Sequence, residues 1–368
     1  MASETSITPK QIFADLSQDV IGQDQALRDM SVAIFKHLIE HSSRNVLMIG
    51  NSGTGKTTIM RSLERFFTQT EGLEKYSTII RINANLVADL ASSGKQTNVV
   101  MDRLARQAAN ILDKRADLES MRKYVSHGIV CVDEVDKIRS VVGGVPNVKG
   151  IIAQDSLLTL MENENVQVDL PYYEADSWHS LTTTINTENV LFVAGGAFEE
   201  LYDQVYQRVS KKSGSDKFWR LESRADGTLD RRFIFELARY ITQEDMFEYG
   251  MTPQFLSRFD SVVMLGDLSA SDLVRIFRHT ENAIWPASVD YFNHAGITLT
   301  ITEEAIFLIA DLAAKKNRLG ARALREVFGT ILKRLEFDPH ATGLVREQGG
   351  QQHLEITKEV IDASQPPG

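Results

Sequence analysis

Short apolar segments alternate with longer amphipathic segments along the chain up to residue 265. The short segments predict buried strands because each is mostly β-branched or bulky, and they cover residues 46–49, 78–82, 129–132, 190–193 and 261–265. Residues 24–39 and 57–67 carry apolar positions at helical spacing, so we expect helices there. Buried strands separated by helices are typical of an α/β fold with a parallel sheet flanked by helices.

The pattern changes after residue 265. Three amphipathic helices are predicted at residues 267–277, 302–315 and 321–335, without buried strand segments between them. We therefore expect two domains, a large α/β domain over residues 1–266 and a smaller, mainly helical domain over residues 267–368, with Gly266 and Asp267 as the hinge. Residues 210–228 are polar and charged, which predicts a surface insertion.

The first candidate for chemistry is a glycine-rich segment that follows the first predicted strand and opens a predicted helix. It matches the Walker A pattern G-x-x-x-x-G-K-[ST], in which glycines let backbone N–H groups converge on phosphates. The lysine would reach the β- and γ-phosphates of ATP, and the following threonine would bind Mg²⁺. The predicted nucleotide-binding residues of this segment are Asn51, Ser52, Gly53, Thr54, Gly55, Lys56, Thr57 and Thr58.

The second candidate is the apolar strand at residues 129–132, which runs into Asp133 and Glu134. On its own this pattern fits a buried strand that ends in an exposed acidic turn. Downstream of a phosphate loop it predicts a Walker B element, in which Asp133 holds Mg²⁺ and Glu134 polarises the attacking water. Cys131, within the strand, is interpreted as a small core residue rather than a nucleophile.

Composition narrows the class of protein. The chain has 368 residues with 43% hydrophobic and 24% charged residues, typical of a globular protein. Its formal net charge of -10 argues against a broad nucleic-acid surface. One cysteine excludes an intramolecular disulfide. The first ten residues have no apolar segment, so we expect no secretory signal and a cytoplasmic location.

Five blocks in order resemble ClpX-like AAA+ ATPases of the Clp/HslU clade. They are VIGQDQAL at residues 20–27, GIVCVDEVDKI at 128–138, NVLFVAGGAFEEL at 189–201, MTPQFLSRFDSVVML at 251–265 and LGARALREVF at 319–328. The resemblance implies adenine contacts by Val20 and Ile21, an arginine finger at Arg258 and a sensor-2 arginine at Arg322. Without the resemblance, the interpretation of each arginine would be that it forms an ordinary ion pair at the surface. No catalytic role is assigned to Ala194-Gly195-Gly196, which lacks the usual sensor-1 polar residue.

The chain departs from this family at four places. We expect no counterpart of the family's N-terminal zinc-binding domain, because the AAA+ blocks start near residue 16. Small and polar residues at 89–96 replace the aromatic pore loop, and residues 170–179 replace the basic pore-entrance loop. No Ile-Gly-Phe peptidase-docking triplet occurs between residues 198 and 251, where Phe218-Trp219 and Phe233-Ile234-Phe235 are the nearest apolar groups. The second of these groups is interpreted as core.

The resemblance implies an ATP- and Mg²⁺-dependent ATPase that assembles into a homo-oligomeric ring, expected to be a hexamer, and remodels or unfolds a protein partner. The four departures favour action without a ClpP-type peptidase. Two alternatives stay open. The polar pore residues favour a nucleotide-gated scaffold or switch with little threading, and a DNA-acting AAA+ motor is disfavoured by the acidic charge. We expect no membrane insertion.

Overall fold

The computed structural model describes residues 7–40, 44–91, 98–223, 229–279, 284–316 and 318–364. The chain divides into two compact units. The first comprises residues 1–16, 25–50 and 59–264, and the second comprises residues 17–24, 51–58 and 265–368. Two short segments that are distant in sequence from the C-terminal residues thus group with them. The division into consecutive domains at Gly266 stays a prediction.

Fourteen strands occur in the described part of the chain. In chain order they are β1 Val46–Ile49, β2 Ile79–Asn83, β3 Ile129–Asp133, β4 Val141–Val142, β5 Val145–Pro146, β6 Asn165–Glu174, β7 Ser177–Asn186, β8 Leu191–Gly196, β9 Trp219–Ser223, β10 Leu229–Phe233, β11 Ser261–Met264, β12 Ile297–Ile301, β13 Val345–Gln348 and β14 Gln351–Ile356.

Fifteen α-helices accompany them, counted over the same described ranges. They are α1 Pro9–Leu16, α2 Asp24–Glu40, α3 Lys56–Gln69, α4 Ala84–Ala91, α5 Val99–Leu112, α6 Leu118–Ser126, α7 Val148–Met161, α8 Glu199–Ser213, α9 Gln243–Tyr249, α10 Pro253–Leu256, α11 Ala270–His279, α12 Ile284–His294, α13 Glu303–Ala314, α14 Arg322–Phe337 and α15 Lys358–Asp362. Within these residues, none of the helices is long and apolar enough to cross a membrane.

The core of the first unit is a five-stranded sheet in the order β11-β1-β8-β3-β2. Every neighbouring pair is parallel, so the carboxyl ends of all five strands lie at one edge. The five predicted strands and the α/β class are confirmed, although β8 continues to Gly196, beyond its predicted end. The extra length matters because it brings two glycines to the edge of the sheet where the candidate acidic residues lie.

Asn45 fixes the start of three strands of this sheet. Its side chain is buried, accepts a hydrogen bond from the N–H of Phe192 at 3.0 Å and donates to the carbonyl of Arg258 at 3.0 Å. Its own carbonyl accepts from the N–H of Asp260 at 3.0 Å. A buried amide that satisfies backbone groups on neighbouring segments sets their relative register. The backbone that carries Arg258 is therefore tied to β1.

Residues 170–179, predicted as a loop, are instead the end of one strand and the start of the next. β6 and β7 form an antiparallel hairpin that pairs Asn165 with Asn186 and Glu174 with Ser177. Alternate residues Val166, Val168 and Leu170 are buried, so the period of two in this segment decides the structure. The loop prediction was wrong because it followed the resemblance to the family's pore-entrance loop and not this alternation.

The predicted surface insertion at residues 210–228 is also partly wrong. α8 continues to Ser213, and β9 pairs with β10 in an antiparallel hairpin. Phe218 is buried, with its ring 5.3 Å from that of Phe235. Of the group Phe233-Ile234-Phe235, interpreted as core, Phe235 is buried but Ile234 is 38% exposed, so the interpretation is confirmed for Phe235 and wrong for Ile234. Residues 224–228 lie outside the described residues, as do residues 92–97 of the predicted pore loop.

The second unit contains α11 to α15 and a three-stranded sheet in the order β12-β14-β13, which was not predicted. Phe277, Phe292 and Phe328 are buried in its core. α11 begins three residues later than predicted because Ser269 and Asp272 cap it. The Asp272 carboxylate accepts from the Ser269 N–H at 3.0 Å, and the Ser269 hydroxyl accepts from the Asp272 N–H at 3.2 Å.

Candidate functional site

The predicted phosphate loop joins β1 to α3 and belongs to the second unit. Gly53 and Gly55 have φ angles of +72° and +110°, which side-chain-bearing residues rarely adopt. The Lys56 Nζ donates to the carbonyl of Asn51 at 2.9 Å, and the Thr54 hydroxyl donates to the same carbonyl at 2.8 Å. The loop therefore closes around the Asn51 carbonyl, with the lysine ammonium held at the start of α3. Helix N–H groups and an ammonium at one place favour a bound phosphate.

Gln23, which sequence reasoning did not single out, ties this loop to the segment after β11. It is 3% exposed, and its amide nitrogen donates to the carbonyls of Thr54 at 3.1 Å and Gly266 at 2.8 Å. Its amide oxygen accepts from the N–H of Gly266 at 3.0 Å. The signal in the sequence was its place directly after Val20, Ile21 and Gly22, in a block that was assigned to adenine contact only.

The turn before α14 packs directly on the phosphate loop, within the same unit. The Ala321 N–H donates to the carbonyl of Gly53 at 2.9 Å. A Cβ on Gly53 would lie 2.3 Å from the Leu319 carbonyl oxygen, and a Cβ on Gly320 would lie 2.5 Å from the Gly53 carbonyl oxygen. Neither glycine can therefore carry a side chain without a backbone shift. Arg322 is the first residue of α14 and is exposed.

The segment predicted to contact adenine also reaches the loop. Val20 is buried, and its Cγ1 lies 3.8 Å from the position that a Cβ on Gly55 would occupy. Ile21 is half-buried. A second tie comes from the Asn51 side chain, whose amide donates to the Asp267 carboxylate at 2.7 Å. Val20, Asn51 and Asp267 thus surround the loop in the second unit, as do Gln23 and the turn before α14.

In the first unit, the carboxyl end of β3 carries the two candidate acidic residues. Glu134 has φ +58° and ψ +37°, a left-handed conformation that costs free energy in a residue with a side chain. Its N–H donates to the Asp133 carboxylate at 2.9 Å. The left-handed backbone turns the chain sharply, so that Glu134 is exposed while Val135 and Asp136 are buried. Strain of this kind is typical of functional sites.

Asn83 orients the Glu134 side chain and was not predicted. It ends β2, in register with Asp133, and its amide nitrogen donates to the Glu134 carboxylate at 2.6 Å. Its amide oxygen accepts from the N–H of Asn85 at 2.9 Å, which fixes which end of the amide faces Glu134. The sequence did contain a signal for this role, namely a polar residue at the end of β2. The carboxyl ends of parallel strands meet at one edge of the sheet, so Asn83 was bound to lie near the end of β3.

The sequence lacks a sensor-1 polar residue at the end of β8. The carboxylate of Asp136, from the segment after β3, packs against this strand end instead. This carboxylate is 1% exposed and accepts from the N–H of Ala197 at 3.1 Å. A Cβ on Gly196 would lie 2.8 Å from Asp136 Oδ1 and 2.5 Å from the Phe198 ring. The space for a side chain at Gly196 is therefore filled by Asp136 and Phe198, which explains the glycine.

Arg258 lies after α10 and forms an ion pair with Glu162 of the same chain. Its side chain is 40% exposed. The expected finger thus pairs with a carboxylate within its own subunit, and an exposed ion pair of this kind contributes little stability.

Cys131, in β3, is not suited to act as a nucleophile, because burial raises the pKa of its thiol to about 12. Its interpretation as a core residue is confirmed.

Comparison with known proteins agrees with this arrangement. The family profile described as AAA domain (Cdc48 subfamily) matches residues 41–262. The ATP-dependent Clp protease ATP-binding subunit ClpX of Azotobacter vinelandii is 29% identical over 377 aligned positions, which cover 95% of this chain and 80% of that protein. The subunit of the same name from Bacteroides fragilis is 28% identical over 345 positions, covering 90% of this chain and 76% of that protein.

The matched region of the profile contains both the phosphate loop and the acidic end of β3. The similarity to the two ClpX subunits extends over most of the chain, into the second unit. On the profile match over more than half of its length, this chain belongs to the AAA family and is a ClpX-like AAA+ ATPase.

Proposed function

We propose that the ATPase remodels or unfolds a protein partner as a homo-oligomeric ring, and that it does so without a ClpP-type peptidase. The observation that carries the proposal is the phosphate loop, whose positive-φ glycines and enclosed Lys56 fit a nucleotide phosphate. The curated relatives are ATP-binding subunits of a protease. This chain has no Ile-Gly-Phe triplet between residues 198 and 251, which supports a partner other than a peptidase.

Each candidate residue has a distinct role in this proposal. The loop residues 51–58 bind the phosphates, Lys56 neutralises charge on the β- and γ-phosphates, and Val20 and Ile21 contact adenine. Glu134 accepts a proton from the attacking water, for which a carboxylate held by a hydrogen bond is suited. Arg322 senses nucleotide from the start of α14.

The proposed magnesium ion fits the oxygen donors present. Thr57 offers a hydroxyl and Asp133 a carboxylate, and hard oxygen ligands are those that Mg²⁺ prefers. When bound, the ion would neutralise charge that develops on the transferred phosphoryl group. The lysine, the magnesium ion and the arginines would all act on the phosphate charges. Substitutions of the individual residues should show which of them affect ATP binding and which affect turnover.

A ring is proposed because the resemblance to ClpX-like ATPases makes Arg258 an arginine finger, which acts in the site of a neighbouring subunit. Glu162, with which Arg258 pairs, is one-third exposed, so the ion pair can open at little cost. A guanidinium released from Glu162 could then stabilise phosphate charge in the site of a neighbouring subunit. The similarity to ClpX subunits supports six subunits as the stoichiometry.

The first prediction separates binding from hydrolysis. Lys56→Ala should weaken ATP binding by about tenfold or more, because it removes a charge-assisted hydrogen bond to phosphate. Glu134→Gln should bind ATP nearly as well as the natural chain but hydrolyse it at least about 100-fold more slowly. A fluorescent-nucleotide titration and a phosphate-release assay measure the two effects. Glu119→Gln, at an exposed position of α6, is the control. Equal hydrolysis rates for the Glu134 variant and the natural chain would refute the assignment.

The second prediction concerns the residue that orients Glu134. Asn83→Ala should lower kcat about tenfold with KM for ATP nearly unchanged, because an untethered base samples unproductive positions. Asn83→Asp should cost more, since a second carboxylate repels Glu134. Asn85→Ala keeps the backbone N–H that holds Asn83 and should resemble the natural chain. Steady-state kinetics distinguish the three variants. A loss in Asn85→Ala as large as in Asn83→Ala would mean that only the local fold is affected.

The third prediction concerns action between subunits. Arg258→Ala should lower hydrolysis by about 10³-fold, and mixing it with Lys56→Ala subunits should restore part of the rate. In mixed rings an intact loop meets an intact arginine only across an interface. Glu162→Gln frees Arg258 and should retain activity. Mass measurements in the presence of ATP report assembly. Equal losses in Glu162→Gln and Arg258→Ala, with no rescue on mixing, would assign Arg258 to the intrachain ion pair alone.

A further inference from the structure

The β6–β7 hairpin is anchored at one end and exposed at the other. Near its base the N–H of Asp169 donates to the buried Asp102 carboxylate at 2.9 Å. The last tie along β6 is the N–H of Tyr173, which donates to the carbonyl of Ala116 at 2.8 Å. Beyond that point, residues 174–180 are all exposed. The tip is thus a rigidly mounted feature with most of its surface in solvent.

One face of this hairpin carries aromatic and acidic side chains together. Strand register places three cross-strand pairs on that face, which we call the aromatic face: Asp169 with Thr182, Pro171 with Ser180 and Tyr173 with Trp178. Trp178 is 47% exposed, and its ring lies edge-to-face at 5.5 Å from that of Tyr173. A large indole left in solvent but held by a second ring is typical of a recognition surface.

The charge of the hairpin has one sign. Residues 165–186 contain Asp169, Glu174 and Asp176 but no lysine or arginine. The Thr182 hydroxyl donates to the Asp169 carboxylate at 2.7 Å, which holds this carboxylate on the aromatic face. At the tip, Ala175 and Asp176 have φ angles of +46° and +59°, so the two-residue turn is tight although neither residue is glycine. Asp169 therefore has a fixed place on the aromatic face, Asp176 lies in the turn, and Glu174, in register with Ser177, lies on the opposite face.

We propose that the aromatic face of the β6–β7 hairpin binds an extended basic segment of the protein partner. An arginine or lysine would lie over the exposed Trp178 ring as a cation–π contact, and a second basic residue would pair with the Asp169 carboxylate on the same face. This inference rests on the proposed function, since it names the chemical class of the protein that the ATPase engages. Nucleic acid is disfavoured as the occupant because the hairpin carries carboxylates and no lysine or arginine within residues 165–186, and carboxylates repel phosphates.

A second copy of the chain is a less suitable occupant than a basic peptide. The chain carries a formal net charge of -10, so its surface is on average repelled by an acidic hairpin. The spacing of the aromatic face also suits an extended ligand. Asp169 and Tyr173 are four residues apart on one strand, which corresponds to about 13 Å. One basic residue over Trp178 and another beside Asp169 would therefore be about four positions apart in an extended peptide.

The test uses the full chain and short unstructured peptides. Trp219→Phe and Trp285→Phe together leave Trp178 as the sole tryptophan, whose fluorescence reports binding directly. A peptide of alternating glycine and arginine should change this fluorescence in a saturable way that weakens with salt. Peptides in which glutamine or glutamate replaces arginine should bind far more weakly. Equal binding of the arginine and glutamine peptides would overturn the proposal.

Variants in the otherwise natural chain locate the site, with binding followed by the anisotropy of a labelled arginine peptide. Trp178→Ala should weaken binding about threefold to tenfold. Asp169→Asn and Asp176→Asn should each weaken it less. Trp219, on another hairpin, is 40% exposed, and Trp219→Ala should bind as the natural chain does. Unchanged binding by Trp178→Ala would contradict the proposal. A loss of assembled mass in that variant would also contradict it, because the face would then be assigned to contact between copies of the chain.

Peptide binding and ATP hydrolysis are measured separately on the same preparations. Basic-peptide binding that depends on Trp178 supports the inference whatever the hydrolysis rate. Absence of a protein substrate whose structure changes with ATP would count against the proposed function while leaving peptide binding intact. Failure of the two proposals is therefore distinguishable.

Discussion

The hydrogen bond from the Ala321 N–H to the Gly53 carbonyl is the constraint on which the rest of the proposed nucleotide site depends. It requires glycine at both Gly53 and Gly320, because a Cβ at either position would overlap the other's backbone or that of Leu319. It makes the phosphate loop part of the C-terminal unit although the loop lies between two elements of the sheet domain in sequence. Gln23 also holds the loop, because its amide donates to the carbonyls of Thr54 and Gly266.

The acidic edge of the sheet is constrained in a different way. Glu134 adopts a left-handed backbone that has a free-energy cost, and Asn83 fixes the side chain that results. Asp136, buried immediately after, accepts from Ala197 and leaves no space for a side chain at Gly196. Glu134, the proposed catalytic carboxylate, is thus exposed on a turn whose next residues are hydrogen-bonded to the end of β8, and its side chain is held by Asn83.

Much of this arrangement could be predicted from the sequence. The five strands and the phosphate loop are specified by local patterns, namely short β-branched runs and glycines at fixed spacing. The resemblance to ClpX-like proteins added the order of the remaining motifs. Asn83 and Gln23 could not be predicted, because their roles depend on parallel strand ends and distant segments meeting in space. The β6–β7 hairpin was missed for another reason. Its alternating apolar residues were visible, but Tyr172, Tyr173 and Trp178 were compared with a family loop instead of being read as a strand pair.

Because the phosphate loop and the turn before α14 share one unit, nucleotide binding should be felt at Arg322 as well as at the loop. Hydrogen–deuterium exchange of residues 318–324 with and without ATP, in the Glu134→Gln chain, tests this most directly. The account predicts that ATP slows exchange of the Ala321 and Arg322 amides together with those of residues 51–58, and that Lys56→Ala abolishes both effects. Slower exchange confined to residues 51–58, with residues 318–324 unchanged, would contradict it.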